Sequence, residues 1–219
     1  MTSSDLYFCL ERSINLNEIA PLNWWPNYGS FWIVVESILG QNTKYENVKK
    51  ATQNLQNANI TSLSDIAKLE VSELARLIKP SGFYNTKAKR LSLLCKNILN
   101  KFGNFENFKE NVSKEWLLSQ NGLGFESVYS ILCYACEREY MVVDKYTAVL
   151  LGFLGYEFDD YESTREWLEE ISEVQSKYPQ ISLAMLLARY HGLIVEFCKA
   201  HLRKNEFSDQ AQEILKNLL

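Results

Sequence analysis

Residues 114–135 read KEWLLSQNGLGFESVYSILCYA, and this stretch decides the fold. Apolar residues recur at spacings of three and four on both sides of NGLG (121–124), the period of helices packed on one face. Ser113 stands just before the first run, where a hydroxyl can accept a hydrogen bond from an unpaired first-turn amide. Gly122 and Gly124 allow the positive φ that a tight reversal needs. Two short helices joined in this way can aim backbone N–H groups outward, and such a cluster at a helix start suits a phosphate. Contacts of that kind hold nucleic acid without reading its sequence. Many helical proteins contain a G-x-G turn, so the hairpin alone defines no activity.

The same helical spacing extends over 31–40, 44–57, 71–79 and 88–99. Ser62 and Ser64 can cap a helix before IAKLE, and GYEFDD (155–160) reads as a loop. Glycines number nine and prolines four, and strand signals are few. The expectation is an all-α fold of about ten short helices. The segment beyond Lys204 reads as either a short helix or a frayed end.

The chain has 219 residues, 47% of them hydrophobic and 13% aromatic, enough for a sizeable core. No run of apolar residues reaches the length of a membrane span. MTSSDLYFCLERS (1–13) lacks a charged-then-apolar leader, so a cytoplasmic protein is expected. The five cysteines are odd in number and scattered, which suits reduced thiols. Cys133 and Cys136 form a CxxC inside an apolar helical run and read as buried thiols. A zinc site would need further ligands, and His191 and His201 are the only histidines. Net charge is −4, but Glu157–Glu173 alone contributes −7 and leaves +3 on the rest. KPSGFYNTKAKR (79–90) holds four basic residues and no acid, so one face can be basic despite the total.

Asp144 follows the extended-looking MVV (141–143) and precedes the helical YTAVLLGFLG. A carboxylate there accepts backbone hydrogen bonds and meets the positive helix end, and both effects favour its ionised form. Local sequence alone describes a structural cap. A catalytic role depends on the hairpin some twenty residues earlier.

L-x-G-x-G, a helix, then V-V-D together resemble the helix-hairpin-helix-Gly/Pro-Asp superfamily of base-excision DNA glycosylases. ILGQNTK (38–44), SGFYNTKAKRL (81–91) and ARYHGLIVEFC (188–198) resemble further segments of endonuclease III relatives, in the same order. The resemblance implies two helical lobes with a cleft between them. One lobe would span 21–136 with the hairpin at 113–136; the other would join 1–20 to 137–219 and carry Asp144.

The departures from that pattern bear on chemistry. Bifunctional members carry a Schiff-base lysine two positions after the second hairpin glycine, where this chain has Glu126. Without that amine, covalent catalysis and lyase activity are not expected. The iron–sulfur loop also departs: its first cysteine position is Glu196, and Cys198 is the one cysteine that follows. No cofactor and no metal are therefore expected.

NWWPN (23–27) with QNTKY (41–45) resembles the 3-methyladenine DNA glycosylase III branch. The resemblance implies that Trp25 and Tyr45 stack on the extracted base, with Pro26 lining the pocket and Trp24 and Lys199 nearby. A buried Trp–Trp pair in the core is the other reading. Gln41 and Phe83 are candidates to fill the gap a flipped base leaves, or else a turn residue and a loop tether. Gly122, Gly124, Glu126 and Lys145 are the remaining candidates for contact with DNA. The expected partner is double-stranded DNA carrying alkylated bases, met by a monomer with no membrane association. A glycosylase for oxidised pyrimidines or mismatched adenine, and a non-catalytic hairpin module, are the competing expectations.

Overall fold

The computed structural model describes residues 1–216 and 218. The helices run α1 Ser3–Ser13, α2 Leu16–Ile19, α3 Phe31–Leu39, α4 Tyr45–Asn57, α5 Leu63–Lys68, α6 Val71–Leu77, α7 Tyr84–Phe102 and α8 Phe105–Asn111. They continue with α9 Lys114–Leu118, α10 Phe125–Ser130, α11 Lys145–Phe153, α12 Tyr161–Glu169, α13 Ser172–Lys177, α14 Leu183–His201 and α15 Asp209–Lys216. Between α14 and α15 lie the two-residue strands β1 Leu202–Arg203 and β2 Glu206–Phe207. Helices outnumber the expected ten because several are one or two turns long, too short to show a full period. Ser62 and Ser113 cap as read, accepting from Asp65 N and Trp116 N. Among the described residues no helix is long and apolar enough to cross a membrane.

The chain divides into two compact units. One comprises Gly29–Cys136. Its core is built from α3, α7 and the hairpin, with Ile33, Ile38, Leu91, Cys95, Leu117 and Leu132 buried. Past Ser130 the second hairpin helix widens into a π-helical turn, Ile131–Ala135, closed by Cys136 N donating to Ile131 O at 3.0 Å. The widened turn leaves Tyr134 O to accept from Gly29 N at 2.7 Å, which ties the start of the unit to its end. Cys133 and Cys136 are buried and not disulfide-bonded, as are the other three cysteines.

The other unit joins Met1–Tyr28 to Glu137–Leu219. α1 and α14 form its centre, with Leu6, Leu10, Leu150, Tyr190, Ile194 and Phe197 fully buried. Residues 21–28, expected with the middle of the chain, group here instead. Arg189 on α14 donates to Asn17 Oδ1 at 3.1 Å and Leu22 O at 2.9 Å, and Trp24 packs on the same helix.

Residues 202–216 are organised by a feature the helical reading missed. Lys204 and Asn205 take φ of +51° and +67° between the two strands, the geometry of a two-residue hairpin turn. The hairpin delivers Phe207 into the core, with its ring 5.1 Å from Phe153 and 6.1 Å from Phe197. α15 follows, burying Ala211 and Leu215 against the same core.

Candidate active site

Asp144 is delivered by a short extended segment whose side chains, Met141, Val142 and Val143, are buried. Two bonds from α12 and its start hold that segment. Met141 N donates to Glu169 Oε1 at 2.7 Å, and Val143 N to the Tyr161 hydroxyl at 2.9 Å.

At its end Asp144 caps α11. Oδ1 accepts from Thr147 N at 2.8 Å and from Thr147 Oγ1 at 2.9 Å, which fixes the carboxylate plane. Oδ2 stands 3.6 Å from His191 Nε2, longer than an ordinary hydrogen bond yet close enough for strong electrostatic coupling. The Asp144 side chain is 15% exposed. Burial pushes its pKa up, but His191 and the two Thr147 bonds outweigh this and hold it below the usual carboxylate range. The cap is thus real and compatible with a reactive carboxylate.

The sign of that shift gives a test. A depressed folded-state pKa means that ionised Asp144 stabilises the fold above the unfolded value, about 3.9. The contribution is lost as pH falls from there through the lower, folded value. The parent's advantage in Tm over Asp144→Asn should therefore be largest near neutrality and shrink toward pH 3, as thermal melts at several pH values would show.

His191 lies on α14 and is buried. Its ring meets Trp24 edge-on, centroids 5.2 Å apart at 81°. Trp24 Nε1 donates to Glu196 Oε1 at 3.1 Å, and Lys199 Nζ donates to the same oxygen at 2.9 Å. The Lys199 ammonium stands 5.6 Å from the centre of the Trp24 ring. Glu196, which stands where the endonuclease III pattern has its first cluster cysteine, thus anchors a tryptophan and a lysine. Among the described residues no group of three or more His, Cys, Asp or Glu side chains could hold a metal ion.

Trp24 itself takes φ +64°, a strained conformation costing about 1–3 kcal/mol that its packing must offset. The indole approaches α14 so closely that a Cβ on Gly192 would lie 2.4 Å from Trp24 Cγ. Gly192→Ala should then displace the indole and destabilise the protein by about 1–3 kcal/mol. A urea melt followed by tryptophan emission would report both effects. Trp25 stands 6.0 Å from Trp24 at 77°, half-buried, and Pro26 is exposed. Lys145 opens α11 and is exposed.

In the Gly29–Cys136 unit, the hairpin reverses at Gly122, φ +85°. A Cβ there would fall 2.5 Å from both Cδ and Nε of Arg90, so the position excludes a side chain on two grounds. Gln41 is half-buried and turned onto the hairpin. Its Nε2 donates to Gly122 O at 2.8 Å and Ser127 Oγ at 3.1 Å, while Arg90 Nη1 donates to its Oε1 at 3.4 Å. Gly124 brings no capping side chain to α10, and Glu126 is exposed on the first turn, where a carboxylate suits the helix dipole.

Phe83 is 74% exposed at φ +45°, on a loop that leads into α7. Tyr45 is half-buried at the start of α4, and burial with Glu36 and Glu46 nearby pushes its hydroxyl pKa up. One unit therefore gathers Trp24, Trp25, Asp144 and Lys199, and the other gathers Gln41, Gly122 and Gly124. Sequence reasoning singled out neither Thr147 nor His191 nor Glu196 as a site residue. The signal for His191 was the glycine beside it in an otherwise apolar helix.

The Gly29–Cys136 unit thus carries a helix-hairpin-helix, and the other unit an aspartate, 15% exposed and with a lowered pKa, at the cap of α11. Residues 35–174 match the family model for HhH-GPD superfamily base excision DNA repair protein. The chain belongs to this superfamily, and it is a DNA repair glycosylase. It is 38% identical over 192 residues to the Methanocaldococcus jannaschii protein named "Putative DNA repair glycosylase MJ1434", covering 85% of this chain and 84% of that one. Among solved structures it resembles the H. pylori 3-methyladenine DNA glycosylase (MagIII) bound to 1,N6-ethenoadenine. The TM-score is 0.87 and the identity 46%, over 93% of this chain and all (100%) of that one. A non-covalent endonuclease III–DNA complex shares the fold, with a TM-score of 0.71 at 18% identity over 99% of this chain and 94% of that one.

Proposed function

We propose that the protein is a monofunctional glycosylase that hydrolyses alkylated purines, 3-methyladenine foremost, from double-stranded DNA. The observation that carries this reading is the Asp144 carboxylate: half-buried, with a lowered pKa and one oxygen tied to Thr147, and with Glu126 rather than a lysine at the Schiff-base position. The likeness to the H. pylori 3-methyladenine glycosylase supports the substrate class.

The base leaves the stack before its glycosidic bond can be reached. 3-Methyladenine is a cation and departs as a neutral base without protonation, so no general acid is needed. The bonding pair goes to the base as the bond breaks, and positive charge grows on the sugar. Asp144 stabilises that charge, and its carboxylate accepts a proton from the water that attacks C1′. Trp25 and Tyr45 stack on the base, and a cationic ring gains about 0.5–2 kcal/mol over a neutral one on such faces. Trp24, Pro26 and Lys199 complete the surroundings of the base. Backbone amides at Gly122 and Gly124 hold phosphate, and Glu126 and Lys145 are further residues proposed to contact DNA. The exposure of Phe83 supports its entry into the duplex, and Gln41 braces the hairpin beside it.

Duplexes carrying one alkylated purine, one oxidised pyrimidine or one mismatched adenine test this reading. Release is expected from the alkylated purine alone, with the strand intact until alkali and no protein trapped by borohydride. Release from the other lesions, or a trapped complex, would refute it.

A further inference from the structure

A buried ammonium joins the two loops that carry Gln41 and Phe83. Lys87, on the first turn of α7, is 2% exposed. Its Nζ donates to Leu39 O, Thr43 Oγ1 and Ser81 O, each at 2.8 Å. An ammonium has three N–H groups, and all three are used. The acceptors come from three places: the last turn of α3, the Gly40–Lys44 loop, and the 3-10 turn Lys79–Ser81 that runs into Gly82 and Phe83. Thr43 closes the arrangement, since its hydroxyl accepts from Lys87 and faces Ser81 O at 2.5 Å.

Burial lowers the Lys87 pKa to about 8, so the ammonium is an unfavourable occupant unless its acceptors offset the lost water. The loops it joins are also strained. Asn42 has φ +52°, Gly82 +67° and Phe83 +45°. A costly charge beside two non-glycine residues at positive φ, Asn42 and Phe83, is more than packing the core requires, because an apolar side chain would bury without that cost.

We propose that Lys87 is a positioning residue for base extraction: its ammonium fixes the Gln41 and Phe83 loops at one spacing, so that duplex DNA meets both at once. The proposal rests on the reading above that these loops face DNA. It adds a group that touches neither base nor reacting atoms.

Lys87→Met removes the donors at similar length, and Thr43→Val removes one link more gently. Each is compared with the parent on an alkylated purine in duplex and in single-stranded DNA. Site-specific 4-fluorophenylalanine at position 83 reports the loop by ¹⁹F NMR, and thermal melts establish folding. In Lys87→Met the duplex kcat/KM should fall by at least about 10-fold, chiefly through KM, with single-strand release changed less than about 2-fold. Thr43→Val should show the same pattern more weakly, and it carries the test if Lys87→Met does not fold. The position-83 resonance should respond to lesion-free duplex in the parent and lose that response in the variants. Equal losses on both substrates, or an unchanged resonance response, would overturn the proposal. If the parent releases no base at all, the reading of the activity fails, while the NMR response still decides the role of Lys87.

Discussion

Asp144→Asn should lower the single-turnover rate of base release by about 10³-fold while leaving the fold and the affinity for DNA largely intact. The substitution separates the two duties of the residue. Asparagine is as good an N-cap as aspartate, and its side-chain oxygen can still accept from Thr147 N. On the proposed mechanism, what disappears is the negative charge next to the sugar and the acceptor for the water's proton. Circular dichroism and DNA titrations run beside the kinetics would separate lost chemistry from lost structure. A variant within about 10-fold of the parent rate would show that the carboxylate is a cap and no more.

The second large effect lies away from the reacting atoms. Arg165→Leu should destabilise the protein by about 3 kcal/mol, toward the lower end of what breaking a buried ion pair costs. Arg165 is 8% exposed and reaches Glu162 at 2.8 Å, Glu166 at 3.3 Å and also Glu169. Its guanidinium stands 5.6 Å from the Tyr140 ring centre. Glu166 is 68% exposed and contributes little, but Glu162 and Glu169 would be left as crowded, poorly solvated carboxylates. Glu169 also accepts from Met141 N, so disorder there should spread into the segment that delivers Asp144. At this chain length the loss corresponds to a Tm lower by about 6–12 °C. The double variant Arg165→Leu, Glu169→Leu should recover part of it. A Tm within 2 °C of the parent (about the least that 1 kcal/mol gives at this size) would show that the carboxylates are solvated well enough without the arginine.

The acidic stretch illustrates what sequence can and cannot give. Its charge was visible at once, but the pairing of its one arginine with Glu162 and Glu169 is evident only when α12 is wound and 162, 165 and 169 share a face. Local signals came through well. The hairpin at 114–135, the Ser62 and Ser113 caps and the Asp144 cap depend on spacings within a few residues, and the structure has them, whereas Ser64 falls inside α5 and does not cap it. The wall of Trp24, His191 and Glu196 was hidden because Trp24 lies more than 160 positions from the other two, and nothing local in NWWPN points to α14. Lys87 was hidden in another way. In KAKR it reads as one more surface charge, and only the fold reveals the three acceptors around it. The 202–207 hairpin escaped because its turn is Lys204–Asn205, without the glycine that usually marks positive φ.

The most direct test of the account is a chromatogram of the bases released when the purified protein acts on methylated genomic DNA. Free 3-methyladenine is expected above the spontaneous rate, with the resulting abasic strands unbroken until alkali. No base above the spontaneous rate, or strands cut by the protein itself, would contradict hydrolysis of an alkylated purine directed by Asp144.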